Sequence, residues 1–183
     1  MQQLDIIRML NQTAARDGAL VVSDIGSQTQ WLYHSGDRES HFYLTGPMGM
    51  ASSVALGLAL SLPNYPVLAI IGDGALAMNL SSLAALSMAS PKNLAIALMD
   101  NQHYELTGNI PTPSKDVDWL SIIQGFGGFQ RIQQIDLQSA LTFSNEMGLS
   151  FFQAKLLPSN TNPPPFPLTP TLIKSRFQRY LTR

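Results

Sequence analysis

The stretch VLAIIGDGAL, residues 67–76, carries five apolar residues into Gly72-Asp73-Gly74. An aliphatic run of that length, stopped by glycine, reads as a strand buried on both faces, the pattern of parallel sheets. Leu76, Leu80 and Leu83 then recur at helical spacing on a helix expected to reach about Ala89. A second apolar run, LAIALM (94–99), ends on Asp100-Asn101. Strand, helix, strand is a βαβ unit, and its two strands should lie parallel.

The alternation continues outward. Leu4, Ile7, Met9 and Leu10 mark a helix over 2–16 that Gly18 stops. ALVVS (19–23) is a short strand, DIGSQ (24–28) a loop, and TQWLYH (29–34) lies in a helix. A helix from Gly49 to Leu62 turns through PNYP into the run at 67. Beyond Asn101 the sequence predicts a polar loop to about Lys115, a helix near 117–124, a turn at GFGGF (125–129), a helix from Leu137 to Met147 and the strand SFFQAKL (150–156). A proline-rich strap over 158–170 and a final helix, TLIKSRFQRYL, close the chain. The expected fold is a single α/β domain over 1–183, a doubly wound, mostly parallel sheet with helices on both faces.

Composition narrows the function. The 183 residues can bury a sizeable core, and a net charge of −1 without basic runs argues against nucleic acid or an anionic membrane as partner. The chain has no cysteine, which excludes disulfides, thiolate metal sites and iron–sulfur ligation. MQQLDIIRML lacks the basic and unbroken apolar regions of a signal peptide, so the cytoplasm is the expected location. MASSVALGLALSL (50–62) is too short to span a bilayer. Its small residues let another backbone approach closely, either within its own domain or at a subunit interface.

Ligands of open parallel sheets bind beyond the carboxyl ends of the strands, where Asp73 and Asn101 stand. If the two strands are neighbours, a carboxylate and an amide oxygen converge there, a donor set suited to Mg²⁺ with phosphate oxygens and water. Gly72 and Gly74 then let an anion reach the N–H groups of Gly74 and Ala75 at the next helix. A lone Gly-Asp-Gly is a weak signal; Asn101 after the intervening helix and strand strengthens it.

Gly72-Asp73-Gly74 followed at this spacing by Asn101 resembles the thiamine diphosphate motif, and nearly the whole chain resembles an isolated diphosphate-binding (PP) domain of that enzyme family. GDRESHFYLTGPMGMASSVALGLAL (36–60), MDNQHYELTGNIPTP (99–113) and SRFQRYL (175–181) are similar to sulfopyruvate decarboxylase β subunits and phosphonopyruvate decarboxylases. The resemblance implies Mg²⁺ on the side chains of Asp73 and Asn101 and the carbonyl of His103. It implies that Ile25-Gly26-Ser27-Gln28 touches the diphosphate, that the Gly46 carbonyl accepts from the cofactor's 4′-amino group, and that Met48 lies beneath the thiazolium and keeps the cofactor bent. Met is flexible and polarizable enough for that position, and equally for filling a core.

The imidazole of His103 borders the expected cofactor and is a candidate for proton transfer or for holding a substrate carboxylate. Tyr104, Glu105 and Thr107 are candidate pocket residues, whereas Arg38 reads as a structural hydrogen-bonding residue. Pro47, in place of the family's serine, and Asn109-Ile110, in a stretch expected to shape the substrate end, depart from the family pattern.

The family's activating glutamate lies on a partner (PYR) domain. The resemblance therefore implies a hetero-oligomer such as α₂β₂, with a PYR-domain α subunit, that decarboxylates a 2-oxo acid. Carboligation by the same cofactor, and a non-catalytic subunit that keeps the cofactor fold, are the alternatives.

Overall fold

A computed structural model describes residues 1–158, 161 and 163–182. Six strands form one parallel sheet: β1 (Leu20–Ser23), β2 (His41–Tyr43), β3 (Val67–Gly72), β4 (Leu94–Asp100), β7 (Arg131–Gln134) and β8 (Ser150–Lys155), in the order β2-β1-β3-β4-β8-β7. Two short strands, β5 (His103–Tyr104) and β6 (Ile110–Pro111), form a separate antiparallel hairpin. The doubly wound α/β fold read from the sequence is the one observed.

Side chains alternate across each strand, so every central strand feeds two cores. Leu68 and Ile70 of β3 face the side covered by α1 (Gln3–Arg16) and α2 (Ser27–His34), where Ile6, Ile7, Leu10 and Leu32 are buried. Val67, Ala69 and Ile71 face α3 (Ala51–Ser61), α4 (Asp73–Met78), α5 (Ser81–Ala89) and α6 (Trp119–Phe126), which contribute Ala55, Leu76, Leu83 and Trp119. Each buried Val, Leu or Ile among them contributes about 1.5–3 kcal/mol. Ala51, Ser52, Ala55 and Ala59 pack α3 closely on its own sheet, while Gly57, Leu60 and Ser61 stay exposed. The expectation that this helix packs within its own domain therefore holds on its buried face.

The edge strand β2 is covered by α7 (Pro170–Leu181), whose Phe177 meets the Phe42 ring at 5.3 Å. Arg38 Nε donates to His41 Nε2 at 3.0 Å. That leaves the His41 Nδ1 proton for the Tyr43 oxygen at 2.8 Å, and the Tyr43 hydroxyl donates to Asp37 at 2.7 Å. Arg176 of α7 closes the chain of contacts on the other Asp37 oxygen, also at 2.7 Å. Burial, aided by the charges of Arg38 and Arg176, holds His41 well below its ordinary pKa and keeps it neutral. Arg38 is thus the structural hydrogen-bonding residue its sequence context suggests.

Two expected elements differ, and two strands of the main sheet are additional. The predicted helix over 76–89 is broken at Asn79, and Leu80 is exposed rather than on the core face. The helix expected from Leu137 to Met147 is irregular. There Asp136 accepts from the Gln138 N–H and the Ser139 hydroxyl, and Asp17 takes the Phe143 N–H at 2.7 Å, so side chains claim backbone groups that a helix needs. Strands β2 and β7 were not foreseen because both are short edge strands with polar residues. Of the expected strap over 158–170, residues 159, 160 and 162 lie outside the described residues, and 163–169 carry no regular structure before α7 begins at Pro170.

Candidate functional site

Strand order reverses between β1 and β3. The chain leaves β1 for α2 on one face and β3 for α4 on the other, so the two loops part and leave a crevice at the carboxyl edge. It is a cleft of about 150 Å³ walled by residues 25–28, by Met48, by residues 72–75 and by residues 103–107. Ile25, Gly26, Ser27, Met48, Gly72, Asp73, Gly74, Ala75, His103 and Tyr104 thus come together, as do Glu105 and Thr107. Two expected residues are outside the wall. Gly46 is exposed on the loop before Met48, and Asn101 is buried beside the cleft.

β3 and β4 are parallel neighbours with Gly72 opposite Met99, so Asp73 and Asn101 do stand at adjacent strand ends. Asp73 opens α4, is 2% exposed, and accepts the hydroxyl proton of Thr112. Burial pushes its pKa up to about 6; the Thr112 hydrogen bond opposes this, and the nearby Asp100 charge adds to it. Asn101 Oδ1 accepts the His103 N–H at 3.1 Å across Gln102, which adopts φ +62°, and His103 Nδ1 lies 3.0 Å from the Asn101 carbonyl.

The loop beneath is latched to Asp100. Ser114 Oγ donates to one carboxylate oxygen at 2.6 Å, Gln153 Nε2 to the other at 2.7 Å, and Trp119 Nε1 donates to Ser114 Oγ at 2.6 Å. Both glycines flanking Asp73 are closely approached by cleft side chains, Gly74 the more tightly. A Cβ at Gly72 would stand 2.7 Å from Gln28 Nε2, and one at Gly74 would stand 2.1 Å from the Tyr104 ring.

A buried carboxylate without a cationic side chain paired to it among the described residues is a costly group. A divalent cation would compensate it. The described residues offer no group of three His, Asp or Glu side chains able to hold a metal. A cation at Asp73 would therefore complete its shell from an amide oxygen, a backbone carbonyl, water or a ligand's oxygens, as Mg²⁺ commonly does.

Several contributors have weak sequence signals. Asp24, fully buried at the end of β1, accepts from backbone N–H groups on both sides of the cleft. Thr112 and Ser114 lie in a stretch that reads only as polar loop. The strand-end position of Asp24, matching that of Asp73, was the available signal.

The sequence profile of the family described as "Thiamine pyrophosphate enzyme, C-terminal TPP binding domain" matches residues 24–128, and the chain belongs to that family. The sulfopyruvate decarboxylase subunit β of Methanococcus maripaludis is 35% identical over 100% of this chain and 99% of that protein, so the chain also belongs to the family of these β subunits. The phosphonopyruvate decarboxylase of Streptomyces viridochromogenes is 35% identical over 91% of this chain but only 43% of its own length. Among solved structures, benzoylformate decarboxylase from Polynucleobacter necessarius superposes with TM-score 0.68 at 14% identity, covering 88% of this chain and 34% of that one. At that identity the likeness bears on fold alone. No helix among the described residues is long and apolar enough to cross a membrane.

The cofactor of this family is thiamine diphosphate, and the cleft at the strand switch is the candidate place for it. A Gly74→Ala substitution tests the fit, because its methyl group must displace the Tyr104 ring. Far-UV circular dichroism should be unchanged, and calorimetry on the assembled protein should read cofactor affinity lowered at least about 10-fold, the cost of a misplaced contact.

Proposed function

We propose that this chain is the thiamine diphosphate- and Mg²⁺-binding subunit of a 2-oxo acid decarboxylase that works only with a partner carrying a PYR domain. The observation that carries this is Asp73: buried, uncompensated by a cationic side chain, and set at the switch-point cleft beside the Asn101-Gln102-His103 turn. The names of the relatives support a decarboxylase, and those of the β subunits imply a second subunit.

Thiamine diphosphate, when bound, supplies an electron sink for loss of CO₂ from a 2-oxo acid. Asp73 and Asn101 would hold Mg²⁺ by their side chains and His103 by its carbonyl. The second lone pair of Asn101 Oδ1 stays available beside its bond to the His103 N–H. Residues 25–27 and the N–H groups of Gly74 and Ala75 would face the diphosphate from opposite walls. The Gly46 carbonyl would accept from the 4′-amino group, and Met48 would support the thiazolium ring. The His103 imidazole, half-buried in the wall, is within reach to hold or move a proton. The partner would supply the glutamate that activates the ring, in an α₂β₂ or larger assembly. Exposed Leu60, Met78 and Met88 give the α3–α5 side an apolar surface for such an assembly.

The test is release of CO₂ from sulfopyruvate, phosphonopyruvate and simpler 2-oxo acids by the chain co-expressed with a PYR-type subunit. Turnover of one of them that requires both subunits and Mg²⁺ is expected; no turnover of any would reject the decarboxylase reading. In the active assembly, Met48→Ala should lower kcat at least about 10-fold with saturating cofactor, since orientation rather than affinity is lost. Steady-state rates equal to the parent's would contradict that role.

A further inference from the structure

Two of the loops proposed to contact the cofactor are 25–28 and 46–49, and one carboxylate touches both. Asp24 accepts the Ile25 N–H at 2.8 Å on its own loop. Across the cleft floor it takes the Gly49 N–H at 3.0 Å, and the same Oδ2 lies 3.5 Å from the Ala51 nitrogen. The helix α3 has no side-chain cap of its own at Met50, so Asp24 caps it from another element. Asp24 is itself fixed from below: its N–H donates to the Ile70 carbonyl at 2.9 Å, and its carbonyl accepts the Thr29 hydroxyl at 2.8 Å.

A second contact closes on the same residue from the opposite side. Asn79, at the break between α4 and α5, donates Nδ2 to the Gly49 carbonyl at 2.8 Å. Gly49 adopts φ +85°, and a Cβ there would stand 2.9 Å from the Ala75 carbonyl oxygen. Gly49 is therefore held on its N–H by Asp24, just past β1, and on its carbonyl by Asn79, just past α4. The break that ends α4 at Asn79 has a use here: an uninterrupted helix would keep the Asn79 backbone in its own ladder and point its side chain elsewhere.

We infer that Asp24 and Asn79 form a clamp on Gly49 that positions Met48, and with it the bend of the bound cofactor, making both of them positioning residues of the reaction. Neither lines the cleft wall, so both act through the 46–49 loop. The inference rests on the proposed role of Met48, and the experiment separates the two.

Hydrogen exchange on the full chain, without cofactor, reads the clamp directly. In Asp24→Asn the amides of 48–51 should exchange at least about 10-fold faster, while those of β3 and β4 keep the parent's protection. In the assembled enzyme Asp24→Asn should lower kcat about 10-fold, with thiamine diphosphate affinity changed less than about 3-fold, and Asp24→Ala should lower kcat further. Asn79→Ala should reproduce the pattern more weakly, and it carries the test if the Asp24 variants do not fold. Faster exchange with unaltered kcat, or kcat and affinity falling together, would overturn the clamp. If Met48→Ala itself leaves kcat unaltered, the role of Met48 falls. If Met48→Ala lowers kcat while Asp24→Asn and Asn79→Ala do not, the clamp alone falls.

Discussion

Asp73→Asn is expected to make the unliganded chain more stable at neutral pH and to remove its cofactor binding. The folded protein raises the Asp73 pKa from 3.8 to about 6, so folding makes ionisation of this group harder. A group with a raised carboxyl pKa favours the fold at low pH, and that contribution is lost as pH climbs from about 4 through 6. Above that window the charged side chain costs about 3 kcal/mol. Asparagine removes the charge and still accepts from Thr112, but its NH₂ meets the backbone N–H groups of Asp73 and Gly74, so a net gain of about 2 kcal/mol is expected. In a chain of this length that is a rise in Tm of roughly 4–8 °C at pH 7.5. The gap between variant and parent should close near pH 4. Because His41 is held neutral in both proteins alike, the difference between them isolates Asp73. In the assembled enzyme, Mg²⁺-dependent affinity for thiamine diphosphate should fall by more than about 100-fold, exceeding the loss typical of groups that only orient a ligand. A lower Tm with retained affinity would contradict both parts.

Asp100→Ala should act the other way, by loosening the floor of the site. Asp100 is buried and satisfied by Ser114 and Gln153, with Trp119 bonded to Ser114 behind it. Removing the carboxylate leaves two buried donors unpaired at a cost of about 3 kcal/mol, a fall in Tm of roughly 6–12 °C. The loop that carries Ser114 also carries Thr112, the partner of Asp73, so cofactor affinity should weaken as well. Differential scanning calorimetry and cofactor titration check the two effects. A stable variant with unchanged affinity would show that the latch does not support the site.

The contrast between these two aspartates explains what the sequence made legible. Asp73 sits between glycines after an apolar run, and Asn101 ends the next run, so the βαβ frame and a site at the strand ends could be read from periodicity and punctuation, while the strand order and pairing came from the structure. Asp24 and Asp100 also end apolar strands, but what each does depends on partners far away in sequence: Gly49 and Ala51 for one, Ser114 and Gln153 for the other. Local spacing carries no record of such contacts. The irregular 137–147 segment fails for the same reason, since Asp17 and Arg16 of the first helix region take its Phe143 N–H and Leu141 carbonyl. Edge strand β7 has one apolar residue in four and none of its residues is fully buried, while β2 is only three residues long, too short for its alternation to register.

The most direct test of the central claim is calorimetric titration of thiamine diphosphate, with and without Mg²⁺, into the chain alone and into the chain co-purified with a PYR-type subunit. Binding that requires both Mg²⁺ and the partner, and that Asp73→Asn abolishes, is the predicted result. No binding in the assembled protein, or the same affinity for parent and Asp73→Asn, would mean that the Gly72-Asp73-Gly74 carboxylate does not hold the cofactor.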